Sequence, residues 1–377
     1  MEKLRIGLLY GGRSVEHDVS IASAISILGA LDRERYDISL IGVDPQGSWH
    51  IAGPDTDLVR ALTEPRVFLP ATPGATELRL DRVASSDSET LGELARLDVI
   101  FPIIHGRGGE DGALQGLLEL ADVPYVGSGV LSSAVQMDKD FAKRLLSSAG
   151  LPVTPWLTFS ACELQEIGFP SVATRIATEL GLPVFVKPAN SGSSIGISRA
   201  ETAAELTAAL ADALRYDRKV LVEVAIDARE IEVAVLGNDH PEASIPGEIR
   251  ATKAFYDYDA KYRDDATELI IPADLDLEKT NAIRETAVAA YLALDAEGLA
   301  RVDFLLDRES GAFYVNELNS LPGFTDTSMY PKLWKATGLS YPKLLDRLIE
   351  LALKRHAERS KLECHAPPPL VKNISGD

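Results

Sequence analysis

The feature that most constrains the fold of this chain is an alternation of strand and helix patterns in its first third. Leu4–Tyr10, Ile38–Val43 and Asp98–Ile104 are apolar runs of strand length, and the first and last end at glycine-rich loops. Helical spacing of apolar residues follows these two loops at Ser20–Leu31 and near Ala113–Ala121. Strands that alternate with helices predict a doubly wound parallel α/β sheet, whose ligands bind beyond the carboxyl ends of its strands.

The rest of the chain carries shorter patterns that predict α+β units. A helix is predicted to begin at Asp138, which is a suitable N-cap, and to end at Gly150. Its apolar face is predicted to carry Phe141, Leu145, Leu146 and Ala149. Further strands are predicted at 183–187, 195–198, 219–224, 230–236, 299–306 and 312–318, and further helices at 201–214, 278–293 and 341–358. Residues 44–90 mix Pro, Gly, Asp and Thr with short apolar stretches and give no firm prediction.

Length and charge limit the classes of protein to which the chain can belong. At 377 residues, two or three domains are expected. Asp and Glu number 57 against 38 Lys and Arg, and the net charge of −19 argues against DNA or RNA binding, which needs a basic surface. The two cysteines, Cys162 and Cys364, are too few and too far apart for a disulfide framework or a zinc knuckle.

Targeting and membrane signals are lacking in the sequence. No apolar run reaches the roughly 18 residues that a membrane helix requires. The N-terminal run Ile6–Tyr10 is too short for the apolar region of a signal peptide. A cytoplasmic protein without membrane contact is therefore expected, with residues 365–377 as a flexible tail.

A cluster of polar residues on two neighbouring predicted strands carries the strongest chemical signal. Because side chains alternate along a strand, Arg301 shares one face with Asp303, and Glu317 shares one face with Asn319. Asp, Glu and Asn are poor strand formers, so their alignment here favours a function over a solvated sheet face. Two carboxylates and an amide oxygen are ligands that suit Mg²⁺ bound to nucleotide phosphates.

The register of this hairpin is predicted from the position of its turn. With the turn centred near Glu309, Asp303 lies opposite Val315, and Glu317 is its diagonal neighbour. The predicted site therefore requires the two carboxylates to meet diagonally across the pair of strands.

A lysine followed by a glycine–serine loop, VFVKPANSGSSIGIS (184–198), predicts a phosphate-binding cradle. The Walker A pattern is absent from the chain, but G-x-S-x-G occurs at 192–196 and would make Ser194 a hydrolase nucleophile. A nucleophile elbow leads into a helix, whereas IGIS is typical of a strand. A β-hairpin flap therefore fits this loop better than a hydrolase site.

Four other segments are candidates for ligand contact. The loops YGGRSVEHDVS (10–20) and HGRGGEDG (105–112) follow predicted strands, and the glycines of the second indicate close backbone approach. Glu223 and Glu230 bracket a strand connection, where carboxylates either bind adenine and ribose or are simply solvated. The aperiodic stretch AFYDYDAKYRDD (254–265) is predicted to be a long functional loop.

Seven short strings occur here in the order found in D-alanine–D-alanine ligases, a family of the ATP-grasp superfamily. They are GGRSVEHDVS, HGRGGEDGALQG, MDKDFAK, FVKPANSGSSIG, FYDYDAKY, RVDF and NELNSLPGFT. They extend from residue 10 to about residue 330, so the chain resembles this family over nearly its whole length.

The resemblance implies a fold and an activity. The fold would be an N-terminal Rossmann-like domain at 1–137, followed by a two-domain ATP-grasp fold at 138–227 and 228–364. The last domain would carry the metal site and a mobile loop at 254–265. The activity would be ATP-dependent joining of two D-alanines, through a D-alanyl phosphate, into the dipeptide used for peptidoglycan. A homodimer is also implied.

The resemblance further implies the residues that bind ATP and metal. Those that would contact ATP are Lys139, Lys187, Ser194, Glu223, the backbone of Ile226, Glu230 and Lys261, the last of them from the mobile loop. Two Mg²⁺ ions, replaceable by Mn²⁺, would be bound by Asp303, Glu317 and Asn319.

The amino-acid substrates would be bound by a second set of residues. Glu16 would hold the ammonium of the first D-alanine, with Ser193 and Tyr262 linked to it by hydrogen bonds and His105 nearby. Arg301 and the Gly323 N–H would stabilise the oxyanion. Ser328 and the Met329 N–H would hold the carboxylate of the second D-alanine.

Departures from the family pattern leave alternatives open. Val224 and Ala225 stand where many relatives carry a lysine and a bulky aromatic residue, so a different adenine pocket is expected. Tyr262 favours an amine acceptor, but D-lactate and D-serine remain open as second substrates. Another ATP-grasp ligase or carboxylase would share the ATP-binding half and need a different N-terminal domain. A regulatory nucleotide-binding protein without turnover is the non-enzyme alternative, against which the intact Arg301 and Asp303 argue.

Overall fold

A computed structural model of the chain describes residues 2–74, 77–80, 93–192, 195–250 and 268–363. Its strands form three sheets, drawn from residues 4–102, 156–224 and 228–319. The predicted mixed α/β class is therefore confirmed. The domain boundaries after residues 137 and 227 stay a prediction, although none of the three sheets crosses either position.

The first sheet has seven strands in the order β6-β5-β4-β3-β2-β1-β7. They are β1 (Leu4–Gly11), β2 (Tyr36–Val43), β3 (Trp49–Ala52), β4 (Arg66–Phe68), β5 (Glu77–Leu80), β6 (Glu93–Arg96) and β7 (Val99–Pro102). The helices of this part are α1 (His17–Ala30), α2 (Leu58–Ala61), α3 (Ala113–Leu120) and α4 (Val130–Met137). β1 pairs in parallel with β2 and β7, as the alternation of strands and helices predicts.

The segment that gave no firm prediction extends this sheet with antiparallel strands. β3 pairs with β2, and β4, β5 and β6 add to it in turn. These strands have two to four residues in register, which is too short for a clear period of hydrophobicity. The parallel part is therefore confirmed, and the antiparallel extension was not foreseen.

The second sheet has four antiparallel strands in the order β10-β9-β11-β8. Its elements are α5 (Lys139–Ser148), β8 (Trp156–Ser160), α6 (Ala161–Ile167), α7 (Phe169–Glu179), β9 (Val184–Pro188), β10 (Ser198–Ala200), α8 (Ala203–Ala213) and β11 (Lys219–Val224). β10 begins later than the predicted strand at 195–198, but it pairs antiparallel with β9. A strand and not a helix therefore follows the glycine–serine loop, as the flap prediction requires.

Helix α5 begins as predicted, but of the predicted apolar face Leu146 is buried, whereas Phe141, Leu145 and Ala149 are not. The Asp138 side chain accepts hydrogen bonds from the N–H groups of the first turn and caps the helix. Phe141 and Leu145, predicted for the apolar face, are 55% and 41% exposed. The buried face instead includes Lys143, because this side of the helix contacts a buried carboxylate of the second sheet.

The third sheet has six strands, with β15-β14-β12-β16-β17 in order and β13 paired to β12. Its elements are β12 (Ala228–Gly237), β13 (Glu242–Ala243), β14 (Gly247–Arg250), β15 (Glu268–Ile270), α9 (Leu277–Ala293), β16 (Gly298–Asp307) and β17 (Phe313–Asn319), followed by α10 (Met329–Thr337) and α11 (Tyr341–Arg359). Helix α9 packs on one face of this sheet through Ile283 and Tyr291. On the other face, Ala234 and Leu236 of β12 pack against α10 and α11.

The first and third sheets share a hydrophobic core. Leu8 and Phe101 of the first sheet belong to the same buried cluster as Tyr330 of α10 and Leu345 of α11. The Arg355 guanidinium of α11 donates to the backbone oxygens of Tyr125 and Gly127. The second sheet has a core of its own, formed with α6, α7 and α8. Helix α5 nevertheless connects the second part to the third, since Ala142 and Leu146 lie in the core of the third sheet.

No helix in the described ranges is both long enough and apolar enough to cross a bilayer. The predicted loop at 254–265, the tail at 365–377 and Cys364 lie outside the described residues.

Candidate active site

The cleft between the second and third sheets is lined by charged side chains of opposite sign. Lys187 and Glu223 lie on neighbouring strands of the second sheet. Arg301 and Asp303 lie on β16, next to Glu317 on β17. The loops that follow β1 and β7 of the first sheet close one end of this cleft, since Glu16 there approaches the glycine–serine loop. Three sheets thus contribute to one site.

The hairpin of β16 and β17 brings the two predicted metal carboxylates directly opposite each other. Asp303 pairs with Glu317 and Arg301 pairs with Asn319, whereas Phe304 pairs with Val315. Asn316 is the extra residue of a β-bulge between these two registers. The predicted register, with Asp303 opposite Val315 and Glu317 on the diagonal, is therefore wrong. The bulge places the two carboxylates directly opposite each other.

Arg301 is held by two carboxylates on this face. Its Nε and Nη2 donate to the two oxygens of Asp303, each over 2.7 Å. Its Nε also lies 3.1 Å from Oε2 of Glu232 on β12. Burial opposes the charge, yet Asp303 and Glu232 raise the pKa of Arg301 well above its ordinary value. The guanidinium therefore stays charged and fixed in direction.

The oxygen atoms of this face could bind a hard divalent cation with help from a ligand. Asn319 donates from Nδ2 to Asp303 over 2.8 Å, which leaves its Oδ1 as the atom that can coordinate a cation. In the described part of the chain, no group of three His, Cys, Asp or Glu side chains is arranged to hold a metal by itself. Two carboxylates and an amide suit Mg²⁺, which usually completes its shell with phosphates and water.

A buried triad of two lysines and one glutamate lies between helix α5 and the second sheet. The Glu223 side chain is 1% exposed and forms ion pairs with Lys143 and Lys187, the first over 2.9 Å. Thr154 accepts from Lys143 over 2.6 Å and donates to Glu223 over 3.0 Å. Lys143 and Thr154 have no assigned role in the sequence analysis. The string MDKDFAK contains Lys143, but its burial could be seen only once α5 was placed.

Opposite charges favour the ionised forms of Glu223 and Lys187 despite their burial, whereas burial lowers the pKa of Lys143. Burial disfavours the Glu223 carboxylate, but Lys143 and Lys187 hold its pKa far below the ordinary value. Burial likewise disfavours the Lys187 ammonium, but Glu223 and Glu317 raise its pKa above the ordinary value. Lys187 therefore offers a permanent positive charge to the cleft.

Lys139 connects the second sheet to the metal face. Its Nζ donates to the Ser191 backbone oxygen over 2.7 Å and lies 3.4 Å from Oε2 of Glu317. Lys187 reaches the same strand, since its Nζ lies 3.4 Å from Oδ1 of Asn316. Two lysines and two carboxylates thus face each other across the cleft, as binding of phosphates and a cation requires.

A cavity of about 620 Å³ lies at the end of the cleft where the two sheets are connected. Its lining includes Val224, Ala225 and Ile226 of the connection and Tyr314 of β17. The predicted adenine contacts Ile226 and Glu230 flank this connection. Because Val224 and Ala225 are small, space remains here that a larger aromatic side chain would fill.

At the opposite end of the cleft, Glu16 meets the glycine–serine loop. Glu16 is 8% exposed and precedes α1. A Cβ atom on Gly192 would lie 3.2 Å from Oε2 of Glu16, so glycine permits this close approach. Ser14 donates to the His105 backbone oxygen over 2.7 Å and accepts from the Glu16 N–H, which joins the two loops of the first sheet.

His105 is part of a hydrogen-bonded chain that fixes the loop after β17. Its Nδ1 donates to the Leu321 oxygen over 2.9 Å, because a carbonyl can only accept. Nε2 then accepts from the Ser23 hydroxyl, which in turn accepts from the Phe324 N–H, both over 3.2 Å. Burial lowers the pKa of His105, so the imidazole is neutral, as this arrangement demands.

Glu110 holds the same loop from a second side. Its Oε2 accepts from the Gly106 N–H over 2.6 Å, and its Oε1 accepts from the Leu321 N–H over 3.0 Å. Burial and the nearby Glu16 carboxylate raise the pKa of Glu110 to about 8. Glu110 lies in the string HGRGGEDG, whose glycines indicated close approach, but the sequence analysis assigned it no role.

The fixed loop carries the predicted oxyanion donor, Gly323. A Cβ atom at this position would lie 3.1 Å from the Ser328 Oγ, so the two residues are in contact. Ser328 is the N-cap of α10, and its hydroxyl is bonded to Thr325 over 2.7 Å. The first N–H groups of a helix, which include that of Met329, have no acceptor within the helix and favour an anion.

We expect Ser23→Ala to lower kcat/KM of the ligase reaction that the resemblance implies by about tenfold. The change removes the link between His105 and the Phe324 N–H and so loosens the loop after β17 that carries Gly323. Steady-state kinetics with thermal melting would measure this. Ser132→Ala is the matched control, since Ser132 is also buried and donates to the Leu294 oxygen, away from the cleft. An equal kinetic effect in both variants would contradict a positioning role for Ser23.

Four residues of the predicted site lie outside the described residues, namely Ser193, Ser194, Lys261 and Tyr262. The other predicted residues are gathered around one cleft. Their individual roles stay predictions. The residues that the sequence analysis missed are Ser23, Glu110, Lys143, Thr154 and Glu232.

Comparison with known proteins identifies the family. A family model described as D-ala D-ala ligase N-terminus matches residues 5–128, and one described as D-ala D-ala ligase C-terminus matches residues 145–350. A D-alanine–D-alanine ligase of Shouchella clausii (strain KSM-K16) is 51% identical over 369 residues, which cover 96% of this chain and 97% of the relative.

Solved structures agree with this finding. The D-alanine-D-alanine ligase from Coxiella burnetii is similar with a TM-score of 0.83 and 38% identity, over 96% of this chain and 97% of that one. The VanG D-Ala:D-Ser ligase from Enterococcus faecalis is similar with a TM-score of 0.82 and 34% identity, over 93% and 100%. The resemblance found in the sequence is confirmed: the chain belongs to the D-alanine–D-alanine ligase family.

Proposed function

We propose that this chain uses ATP to join two D-alanines into D-alanyl-D-alanine, for peptidoglycan synthesis, through a D-alanyl phosphate. The observation that carries the proposal is that Lys139 and Lys187 lie across the cleft from Asp303 and Glu317. The fixed guanidinium of Arg301 lies beside these carboxylates. Phosphoryl transfer depends on positioning and on opposing charge, and this cleft offers both.

In this proposal ATP lies between the second and third sheets. Lys139 and Lys187 contact its phosphates, and their charges offset those that build up during transfer. Glu223, the Ile226 backbone and Glu230 surround adenine and ribose, next to the cavity at the connection of the two sheets. Ser194 and Lys261 complete the phosphate contacts in the proposal on the basis of the resemblance.

Asp303, Glu317 and Asn319 would hold Mg²⁺, or Mn²⁺ in its place. Their oxygens are hard donors on one face of the sheet, and the paired register of Asp303 and Glu317 supports the assignment of two ions. When bound, the cation would neutralise phosphate charge and orient the transferred group. Lys139, which faces Glu317, would complete this balance of charge.

The first D-alanine binds at the N-terminal end of the cleft. Glu16 accepts its ammonium group, with Ser193 and Tyr262 linked to that carboxylate. His105 is neutral and bonded on both nitrogens, so it acts near the substrate by holding the backbone around it. The carboxylate of this D-alanine then faces the transferred phosphoryl group.

The second D-alanine attacks the acyl phosphate as an amine. Its carboxylate is held by Ser328 and the Met329 N–H at the start of α10. The tetrahedral oxyanion is stabilised by Arg301 and the Gly323 N–H, which the loop after β17 fixes before the reaction begins. The new C–N bond forms as phosphate leaves.

The test of this proposal measures ADP release in the presence of ATP and Mg²⁺. D-alanine alone is expected to give ADP and D-alanyl-D-alanine in equal amounts, identified by mass, whereas L-alanine gives neither. Bound ATP without turnover on any D-amino acid would contradict the proposal and favour a regulatory protein or another ligase substrate.

A second candidate differs only in the acceptor. The structural similarity to the VanG D-Ala:D-Ser ligase is nearly as high as that to the D-alanine-D-alanine ligase of Coxiella burnetii, so the fold does not separate the two substrates. The same assay with D-alanine plus D-serine or D-lactate decides. A mixed product formed in preference to D-alanyl-D-alanine would identify D-serine or D-lactate as the second substrate and leave the mechanism unchanged.

Binding of D-alanine is expected to release up to one proton per site at pH 7. Glu110, with its pKa at about 8, is protonated at this pH, and an ammonium beside Glu16 would lower that pKa. Calorimetry in two buffers of different ionisation enthalpy measures the release. It should vanish in Glu110→Gln and above pH 9, where the free protein is already ionised. Identical heats in both buffers at pH 7 would contradict this assignment.

We also propose a cytoplasmic location and a homodimer. The consumption of ATP supports the first, and the family resemblance supports the second. Light scattering during size-exclusion chromatography would measure the mass of the assembly against the 40.7 kDa of one chain.

A further inference from the structure

Arg107 makes hydrogen bonds that cross from the first sheet to the second part of the chain. It lies in the loop HGRGGEDG, two residues after His105, and is exposed. Its Nε and Nη2 donate to the Asn190 backbone oxygen over 3.1 and 2.8 Å. Its Nη2 also donates to the Tyr216 oxygen over 2.6 Å. One guanidinium thus holds two separate backbone segments of the second part.

The segment that Arg107 holds is the start of the glycine–serine loop. The Asn190 N–H donates to Asp217 over 2.7 Å, and the Asn190 side chain donates to Asp138 over 3.0 Å. Lys139 binds the next residue, since its Nζ donates to the Ser191 oxygen. The Asn190 carbonyl is therefore presented to Arg107 in a fixed direction, and the loop continues from there to Gly192 beside Glu16.

The rest of the packing makes this contact important. The first and third sheets share one hydrophobic core, whereas the second sheet is packed on a separate core. Helix α5 joins the second part to the core of the third sheet through Ala142 and Leu146, and Arg107 adds polar contacts that hold the second sheet to the first. The loop that carries Arg107 also carries His105 and Glu110, which hold the loop after β17.

We propose that Arg107 is a positioning residue that latches the loop of residues 189–192 over the first D-alanine and so protects the D-alanyl phosphate from water. The inference rests on the proposed ligase activity. In the productive step the neutral amine of the second D-alanine attacks the carbonyl carbon, the C–O bond to phosphate breaks, and the nitrogen loses one proton to solvent as the amide forms. In the unproductive step water attacks the same carbon and loses a proton to solvent, phosphate leaves, and D-alanine is regenerated. An open latch favours the second step.

The test compares ADP, phosphate and dipeptide formed by the full chain and by Arg107→Ala. The original chain should form about one ADP per dipeptide. The variant should form roughly two or more ADP per dipeptide, and its kcat/KM for dipeptide should fall about tenfold, because three charge-assisted hydrogen bonds are lost. Arg107→Lys, which keeps one charged donor, should lie between the two. Loss of a merely structural contact would not change the ratio of ADP to dipeptide.

Arg175→Ala is the matched control, since Arg175 is an exposed arginine of the second part that pairs with Glu179 within α7. It should keep the original ratio and rate. A ratio of one in both Arg107→Ala and Arg107→Lys, with unchanged KM for D-alanine, would overturn the proposal. If Arg107→Ala melts at a much lower temperature than the original chain, the ratio of ADP to dipeptide in Arg107→Lys is the deciding measurement. Lack of D-alanine-dependent ADP release in the original chain would instead overturn the ligase function itself.

Discussion

Glu317→Gln should reduce turnover by roughly a thousandfold or more, since a cation held by the carboxylates would supply several kcal/mol of stabilisation to the transition state. The change keeps the size of the side chain and removes the charge that faces Lys139 over 3.4 Å and Asp303 across the hairpin. The fold should persist, because a partly exposed ion pair contributes about 1 kcal/mol or less. Steady-state ADP release, with thermal melting alongside, measures both effects.

The control for this change is Glu242→Gln. Glu242 lies on β13 of the same sheet, pairs with Arg347 at the surface and is remote from the cleft. It should leave turnover unchanged. A second readout is the Mg²⁺ dependence of ATP binding, which should weaken in Glu317→Gln and not in the control. Full activity of Glu317→Gln or Glu317→Ala would show that this carboxylate does not serve the cation.

The hairpin of β16 and β17 shows what alternation along a strand can and cannot predict. The sequence placed Arg301 with Asp303 and Glu317 with Asn319 because each pair is two residues apart. It misplaced the pairing between strands, because a bulge at Asn316 adds one residue that periodicity does not reveal. The chemistry of the face was therefore predictable, and its register was not.

The antiparallel extension of the first sheet shows a second limit. β3 to β6 have only three or four residues each, so neither propensity nor period is averaged over enough positions. The long apolar strand β1, by contrast, is buried on both faces, and its sequence is unambiguous. Strand length thus decided which part of this sheet could be predicted.

Residues whose role is to position other residues could not be predicted from the sequence. Ser23 is a small polar residue on a helix, and nothing in its spacing shows that it links His105 to the Phe324 N–H. Its partners lie 82 and 301 residues away. Lys143 was assigned to no face of α5, because a fully buried lysine is rare and its counter-charge, Glu223, lies on a distant strand. Contacts of this kind appear only when the three sheets are assembled.

Glu223→Ala should lower the free energy of unfolding by about 3–5 kcal/mol, because it leaves two buried ammonium groups without their shared carboxylate. The side chains of Glu223 and Lys143 are 1% and 2% exposed, so water cannot replace the lost partner without opening the structure. The melting temperature without ATP should fall by about 4–6 °C. Glu179→Ala, which removes an exposed ion pair with Arg175, should change it little.

The interaction can be isolated by combining Glu223→Gln with Lys143→Met. Because the two side chains are in contact, the double variant should lose less stability than the sum of the single variants.

The contribution of Glu223 to stability should depend on pH with a defined sign. The pKa of Glu223 is lowered from 4.5 in the folded chain, so its contribution is present above about pH 4.5 and declines as the pH falls further. The difference in stability between the original chain and Glu223→Gln should therefore be constant from pH 5 to 8 and shrink below that range. Additive losses, or a difference that grows in acid, would show that Glu223 is not the anion that neutralises these lysines.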